Sequence, residues 1–334
     1  MLTAPLEVSG IHMFVASMLL AVLAGLLAIP VPVLLSQMSW PSRAPATALL
    51  LWQAIALSGG LSMIGSLVTF GLIPFGDNLV ESGTTFFRTV LQDPRVPSVD
   101  LVYIASLCAG VYLGLHLVLN LILTVVTTER ERRRHRQLVQ LLSAPDPVRP
   151  HTRVIEHAVP VAYCLPGTQH SVTVFSAGLA NLLNEDELVA VIEHEKAHLL
   201  QRHYMVLLAF DAWRSSLPWF PIATRAQNEV GGLVEMLADD YARRAVNDRT
   251  LAVAIALVAT GTPAAAPAAI TATSIGGTDL ALQGVNTKQL TARVRRLTDG
   301  EPGLSSTARA GVSIVAVALI AVPTVLLFLP ALLS

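Results

Sequence analysis

The residues best suited to chemistry are His194, Glu195, Lys196, Ala197 and His198. On a helix, positions i and i+4 lie one above the other, so both imidazoles can hold one Zn2+ at about 2.0–2.1 Å. Glu195 lies about 100° around that helix, within reach of a water beside the metal without being a ligand itself. Zinc lowers the water pKa from near 16 towards about 7, and a glutamate placed there takes the proton as general base. The chemistry would be hydrolysis of a peptide bond. Five residues alone also fit a helix face of solvated charges.

A catalytic zinc takes a third protein ligand and keeps a fourth position open. Gln201 and Tyr204 stand where an extended three-histidine pattern would need glycine and histidine. His203 follows His198 by five residues. On a continuous helix that is about 140° off the ligand face, so a surface or interfacial role is expected. Glu235 is the better third ligand. Asp239, one turn further on, shares its face and can accept the second N–H of a zinc histidine, fixing its tautomer. His203, Tyr204, Tyr241 and Arg244 remain open as groups that could stabilise an oxyanion.

These side chains need rigid elements to carry them. Asn184 with Glu187 predicts a capped helix start, and an apolar stripe runs from Leu188 to about Arg202. Upstream, Arg153–His157, Pro160–Cys164 and Ser171–Ser176 have strand character, with Pro166, Gly167 and Thr168 turning between the last two. Val172 and Val174 alternate with Thr173 and Phe175, which predicts a strand with two unlike faces. Tyr204–Pro221 is apolar with Trp213, Trp219 and Phe220, yet holds Asp211 and Arg214. It is expected to pack on the bilayer surface or the spans, with its tryptophans at headgroup level. Leu251–Ala259 is too short to cross a membrane and is broken afterwards by Gly261, Pro263 and Pro267.

Composition supplies the setting. Apolar residues make up 53% and charged residues 13% of 334, half the usual charged share of about 25%, which marks a membrane protein. Of 45 charged residues, 8 lie in 1–127 and 37 in 128–309. The expected organisation is three spans within 1–127 (about 11–36, 47–73 and 101–127), a soluble domain at 128–309 and a fourth span at 310–334. No basic residue precedes the first run, so it is expected to stay in the chain. Arg130, Arg132, Arg133, Arg134 and Arg136 follow the third span; Arg293, Arg295, Arg296 and Arg309 precede the fourth. Read as topogenic, they put the domain in the cytoplasm and both termini outside. A net charge of −1 gives no reason to expect nucleic acid as a direct partner. Cys108 and Cys164 suggest no disulfide framework. Gly110 with Gly114 suits close helix packing, and His116 with Asn120, one turn apart in the third span, suits an interhelical hydrogen bond.

Several stretches together resemble the BlaR/MecR-type membrane metallopeptidases (metallopeptidase family fifty-six), relatives of the HtpX-type enzymes. They are Ala162–Gly167, Ser176–Leu179, the helix Val191–Tyr204, Leu217–Pro221, Glu235–Asp239 and Arg293–Leu297. The three-plus-one layout of spans looks like the BlaR/MecR arrangement. The resemblance implies a mainly α membrane protein with an inserted α+β gluzincin-type domain. It implies one zinc held by His194, His198 and Glu235, with Glu195 as base and Asp239 behind a ligand. By the same resemblance, substrate adds as a strand beside an edge formed by Val172, Thr173, Val174 and Phe175. A bacterial cytoplasmic membrane, the lipid bilayer as partner and a BlaI-like repressor as protein substrate are further implications, self-cleavage among them. Such receptors continue into an extracellular penicillin-binding sensor, whereas this sequence ends at Ser334, so direct β-lactam sensing is not expected of it. An HtpX-like quality-control protease and an idle scaffold or metal sensor are the competing readings.

Overall fold

The computed structural model describes residues 10–92, 99–146, 149, 152–165, 172–218, 221–261, 287–300 and 302–333. The expected turn at Pro166, Gly167 and Thr168, together with Trp219 and Phe220, lies outside them. Helices α1 (Ile11–Ala28), α2 (Pro30–Gln37), α3 (Trp40–Arg43), α4 (Pro45–Leu72), α5 (Leu79–Gln92) and α6 (Leu101–Leu142) come first. Strands β1 (Ser143–Pro145), β2 (Thr152–Ile155), β3 (Ala162–Leu165) and β4 (Val172–Ser176) follow. Helices α7 (Ala177–Leu182), α8 (Glu185–Leu200), α9 (His203–Ser216), α10 (Pro221–Ala242), α11 (Asp248–Gly261), α12 (Thr287–Thr298) and α13 (Ser306–Leu333) complete the chain.

Among the described residues, four stretches are long and apolar enough to cross a bilayer: Ile11–Gln37, Pro45–Phe75, Leu101–Val139 and Ser306–Ala331. The first breaks at Ile29, because Pro30 brings no N–H and disfavours helix in the residue before it. Gly71 and Gly110 let α4 and α6 approach: a Cβ at Gly71 would lie 2.6 Å from Leu107, and one at Gly110 2.9 Å from Val68. At Gly114 the same test gives an ordinary 3.8 Å, so the tight contact uses one member of the expected pair. Helix α6 does not stop near 127; it runs on to Leu142 without a break, Glu129 pairing with Arg133 at 3.2 Å and Arg136 at 3.1 Å. The third span therefore delivers the chain directly into the sheet.

That sheet has the order β1-β2-β4-β3, with β2 parallel to β4 and the other pairs antiparallel. The expectation of an edge at Val172, Thr173, Val174 and Phe175 is corrected here: β4 is bonded on both sides, to β2 and to β3. A central strand is covered on both faces, which is why Thr173, Val174, Phe175 and Ser176 are all buried rather than alternating. Among the described residues, the strand at the end of the order next to it is β3, Ala162–Leu165.

The apolar segment after α8 is helix α9, and it packs against the spans. Asn120 Nδ2 of α6, with two hydrogens to give, lies within hydrogen-bond distance of Ala212 O (2.7 Å), Ser215 Oγ (2.8 Å) and Ser216 Oγ (2.7 Å), and His116 Nε2 meets Ser216 O at 3.2 Å. At the other end of α9, the Arg132 guanidinium of α6 stacks 3.9 Å over the Tyr204 ring. Helix α9 thus runs down α6 from the Arg-rich extension to the middle of the third span. Phe210 of α9 and Ala226, Val230, Leu233 and Val234 of α10 share one buried cluster with Leu27, Trp52 and Ile55 of the first two spans. Trp213 is partly buried and packs against this cluster.

Candidate active site

The site is carried by α8, α10 and α12. Helix α8 starts with a reciprocal cap, Asn184 Oδ1 accepting from Glu187 N (3.0 Å) and Glu187 Oε2 from Asn184 N (2.9 Å). Its buried stripe of Leu188, Val191 and Ile192 packs with Leu251 and Ile255 of α11. The i, i+4 register then aims His194 and His198 at α10, the two Nε2 atoms 3.2 Å apart. Glu235 of α10 faces them, with Oε2 3.3 Å from His194 Nε2 and Oε1 3.6 Å from His198 Nε2. Glu195 is 1% exposed on the same helix.

These separations test whether an ion fits. Four ligands placed tetrahedrally at about 2.0–2.1 Å from zinc lie about 3.3–3.4 Å from one another. Here the two imidazole nitrogens are 3.2 Å apart, they lie 3.3 and 3.6 Å from the two different oxygens of Glu235, and one ligand atom from each residue lies within 4.8 Å of the others. His194, His198 and Glu235 could therefore hold one divalent ion, and their donor set of two imidazoles and a carboxylate suits zinc. Cys164, buried on β3, is not part of this group; burial, more than any neighbour, pushes its thiol up to about 12. Its Sγ lies 3.3 Å from Thr173 Oγ1.

Asp239 sits behind the site, Oδ1 3.0 Å from His194 Nδ1, where it accepts the ring N–H and leaves Nε2 facing the ligand cluster. Burial alone would lower the His194 imidazole, but hydrogen bonds to Asp239 and Glu235 outweigh it and raise the group to about 9. His198 goes the other way, down to about 3, first because it is buried. Glu235 and Asp239 would be raised by burial, yet the Arg293 charge holds both below the usual carboxylate range.

Arg293 was assigned above to the topogenic set, and the structure corrects this. Its side chain is 5% exposed on α12. Nε and Nη2 donate to Asp239 Oδ2 and Oδ1 at 2.8 and 2.7 Å, and Nη1 lies 3.0 Å from Glu235 Oε2. A signal was present: Arg293 falls on the same helical stripe as Leu290 and Leu297, and a lone charge in an apolar stripe needs a buried partner. Arg296 pairs with Asp240 at 2.7 Å, also inward.

His203 is the second correction. It is 3% exposed, its Nδ1 3.0 Å from His198 Nδ1 and its Nε2 2.9 Å from Gln201 Oε1. The 140° extrapolation fails because α8 and α9 are not one helix. Arg202 between them is left-handed (φ 51°), which turns the chain back and brings His203 under His198. Of the other oxyanion candidates, Tyr204 is stacked by Arg132, and Tyr241 by Arg244 at 5.3 Å.

Residues 126–268 match the model of peptidase family M48. That stretch holds His194, Glu195, His198, Glu235 and Asp239 and ends before Arg293. Comparisons with curated proteins and with solved structures return no match. The family match and the four apolar helices together indicate a membrane-associated metallopeptidase.

Proposed function

We propose that this chain is a membrane-embedded zinc metalloendopeptidase that cuts a protein substrate at the cytoplasmic face of a bacterial inner membrane. The observation that carries the reading is the convergence of His194, His198 and Glu235, one ligand atom from each within 4.8 Å of the others, a donor set that suits one zinc. A zinc ion held there would supply the Lewis acidity that makes water nucleophilic near neutral pH. Glu195 takes the proton of the attacking water on its carboxylate and passes it to the leaving amine. Asp239 keeps the His194 ring in the tautomer a ligand needs, and Arg293 balances the charge of the two acids on α10.

An extended peptide would add beside β3, the strand at the end of the described order, rather than beside β4. The α9–α10 pair is wedged among the spans, which supports cleavage close to the bilayer. A BlaI-like repressor as substrate rests on the BlaR/MecR resemblance, and quality control of membrane proteins is the alternative use of the same site.

The test is metal analysis of the detergent-solubilised full chain, paired with cleavage by wild type and Glu195→Gln. One zinc per chain and a loss of about 10²–10⁴-fold in rate with metal retained are expected. A chain that binds no zinc, or a variant as active as wild type, would overturn the enzyme. Repressor that stays intact in cells while membrane proteins accumulate on deletion would favour quality control.

A further inference from the structure

Beside the ligand cluster lies a second chain of ring contacts that the hydrolytic reading does not use. From Gln201 Oε1 it runs to His203 Nε2 (2.9 Å), and from His203 Nδ1 to His198 Nδ1 (3.0 Å). At its far side His198 Nε2 faces His194 Nε2 and Glu235. The His198 and His203 rings meet edge to face, centroids 4.9 Å apart, and both are almost fully buried. Each neutral imidazole has one N–H and one lone pair, so the order of protons along this chain is all or none.

A ligand needs its lone pair on Nε2, so the His198 proton must sit on Nδ1 and point at His203. His203 Nδ1 must then be the bare nitrogen, and the His203 proton must sit on Nε2. Gln201 Oε1 accepts that proton, and an amide oxygen cannot donate one back. The opposite order would place an N–H of His198 where the ion belongs. The left-handed Arg202, a conformation an L-residue rarely adopts, is what brings this pair under His198.

We propose that His203 and Gln201 are positioning residues for the metal, setting the His198 tautomer as Asp239 sets that of His194. The two zinc imidazoles are thus oriented by different chemistries, an ion-paired carboxylate behind one and a neutral imidazole–amide relay behind the other. The inference rests on the ligand set proposed above, and the experiment separates the two.

Zinc affinity of the full chain in detergent is measured by competition with a chromophoric chelator, beside the melting of the metal-free form. His203→Phe keeps the ring and its edge contact but removes the acceptor. It is expected to weaken zinc by about 10–100-fold with metal-free melting unchanged. Gln201 is exposed, so its variants test proton order without disturbing packing. Gln201→Ala should lose affinity, less than His203→Phe does, whereas Gln201→Glu, which can only accept, should restore it to wild type or better. Wild-type affinity in His203→Phe, or Gln201→Glu binding as poorly as Gln201→Ala, would overturn the relay while leaving the zinc site intact. A wild-type chain that binds no zinc would overturn the ligand set itself.

Discussion

Arg293→Met is the perturbation the structure prices most directly, because it removes a cation and keeps an unbranched apolar stem of similar reach. The guanidinium makes three contacts of 2.7, 2.8 and 3.0 Å to Asp239 and Glu235, whose side chains are 1% and 14% exposed. Without it, the two carboxylates face only the rings of His194 and His198. Breaking a buried pair by removing one partner costs about 3–5 kcal/mol. For a domain of 150–250 residues each kcal/mol moves Tm by about 2–4 °C, so the metal-free variant should melt about 6–20 °C lower. The assay is thermal unfolding of the solubilised full chain, followed by near-UV circular dichroism with a chelator present. Adding zinc should recover part of the loss, since a ligand that binds only the folded form stabilises it. Adding Asp239→Asn should also recover part, because one of the two stranded charges disappears. A metal-free Arg293→Met within about 2 °C of wild type, or a double variant costing the sum of the singles, would refute the argument.

Two further outcomes follow from particular contacts. In the metal-free protein His194 is raised to about 9 from its ordinary 6.5, so its stabilising contribution is complete below pH 6.5 and fades as pH rises through 9. Glu235 and Asp239 are depressed, so theirs is present above the ordinary carboxylate range and fades as pH falls through their folded values. Tm measured with chelator should therefore decline between pH 6.5 and 9.5, and a flat profile there would count against the His194–Asp239–Glu235 arrangement. Asn120→Leu removes the two N–H groups that tie α6 to α9 and should cost about 1 kcal/mol, given that such bonds between membrane helices average about 0.6 kcal/mol. Hydrogen exchange over 212–216 should speed up, and unchanged protection would show that the tie is idle.

Much of the site was readable because its signals are local or regular. The cap at Asn184 and Glu187, the i, i+4 imidazoles and the one-turn step from Glu235 to Asp239 each depend on helix geometry alone. The four apolar runs depend on length and transfer free energy. What escaped depends on breaks and on distant partners. One left-handed residue at Arg202 rotates everything after it, so His203 could not be placed by counting along a wheel. Arg293 was grouped with its basic neighbours because charge near a span has a ready explanation, and its two acids lie more than fifty residues upstream.

The sequence by itself determined which side chains could bind an ion and which segments must avoid water, since side-chain chemistry and helical period are properties of a few neighbouring residues. Tertiary structure alone decided that β4 is interior and β3 terminal among the described strands, that α9 lies against the third apolar helix, and that Arg293 and His203 stand behind His194, His198 and Glu235. Those outcomes depend on pairing between strands and helices far apart in the chain, where the gain comes from satisfying buried polar groups that no local pattern records.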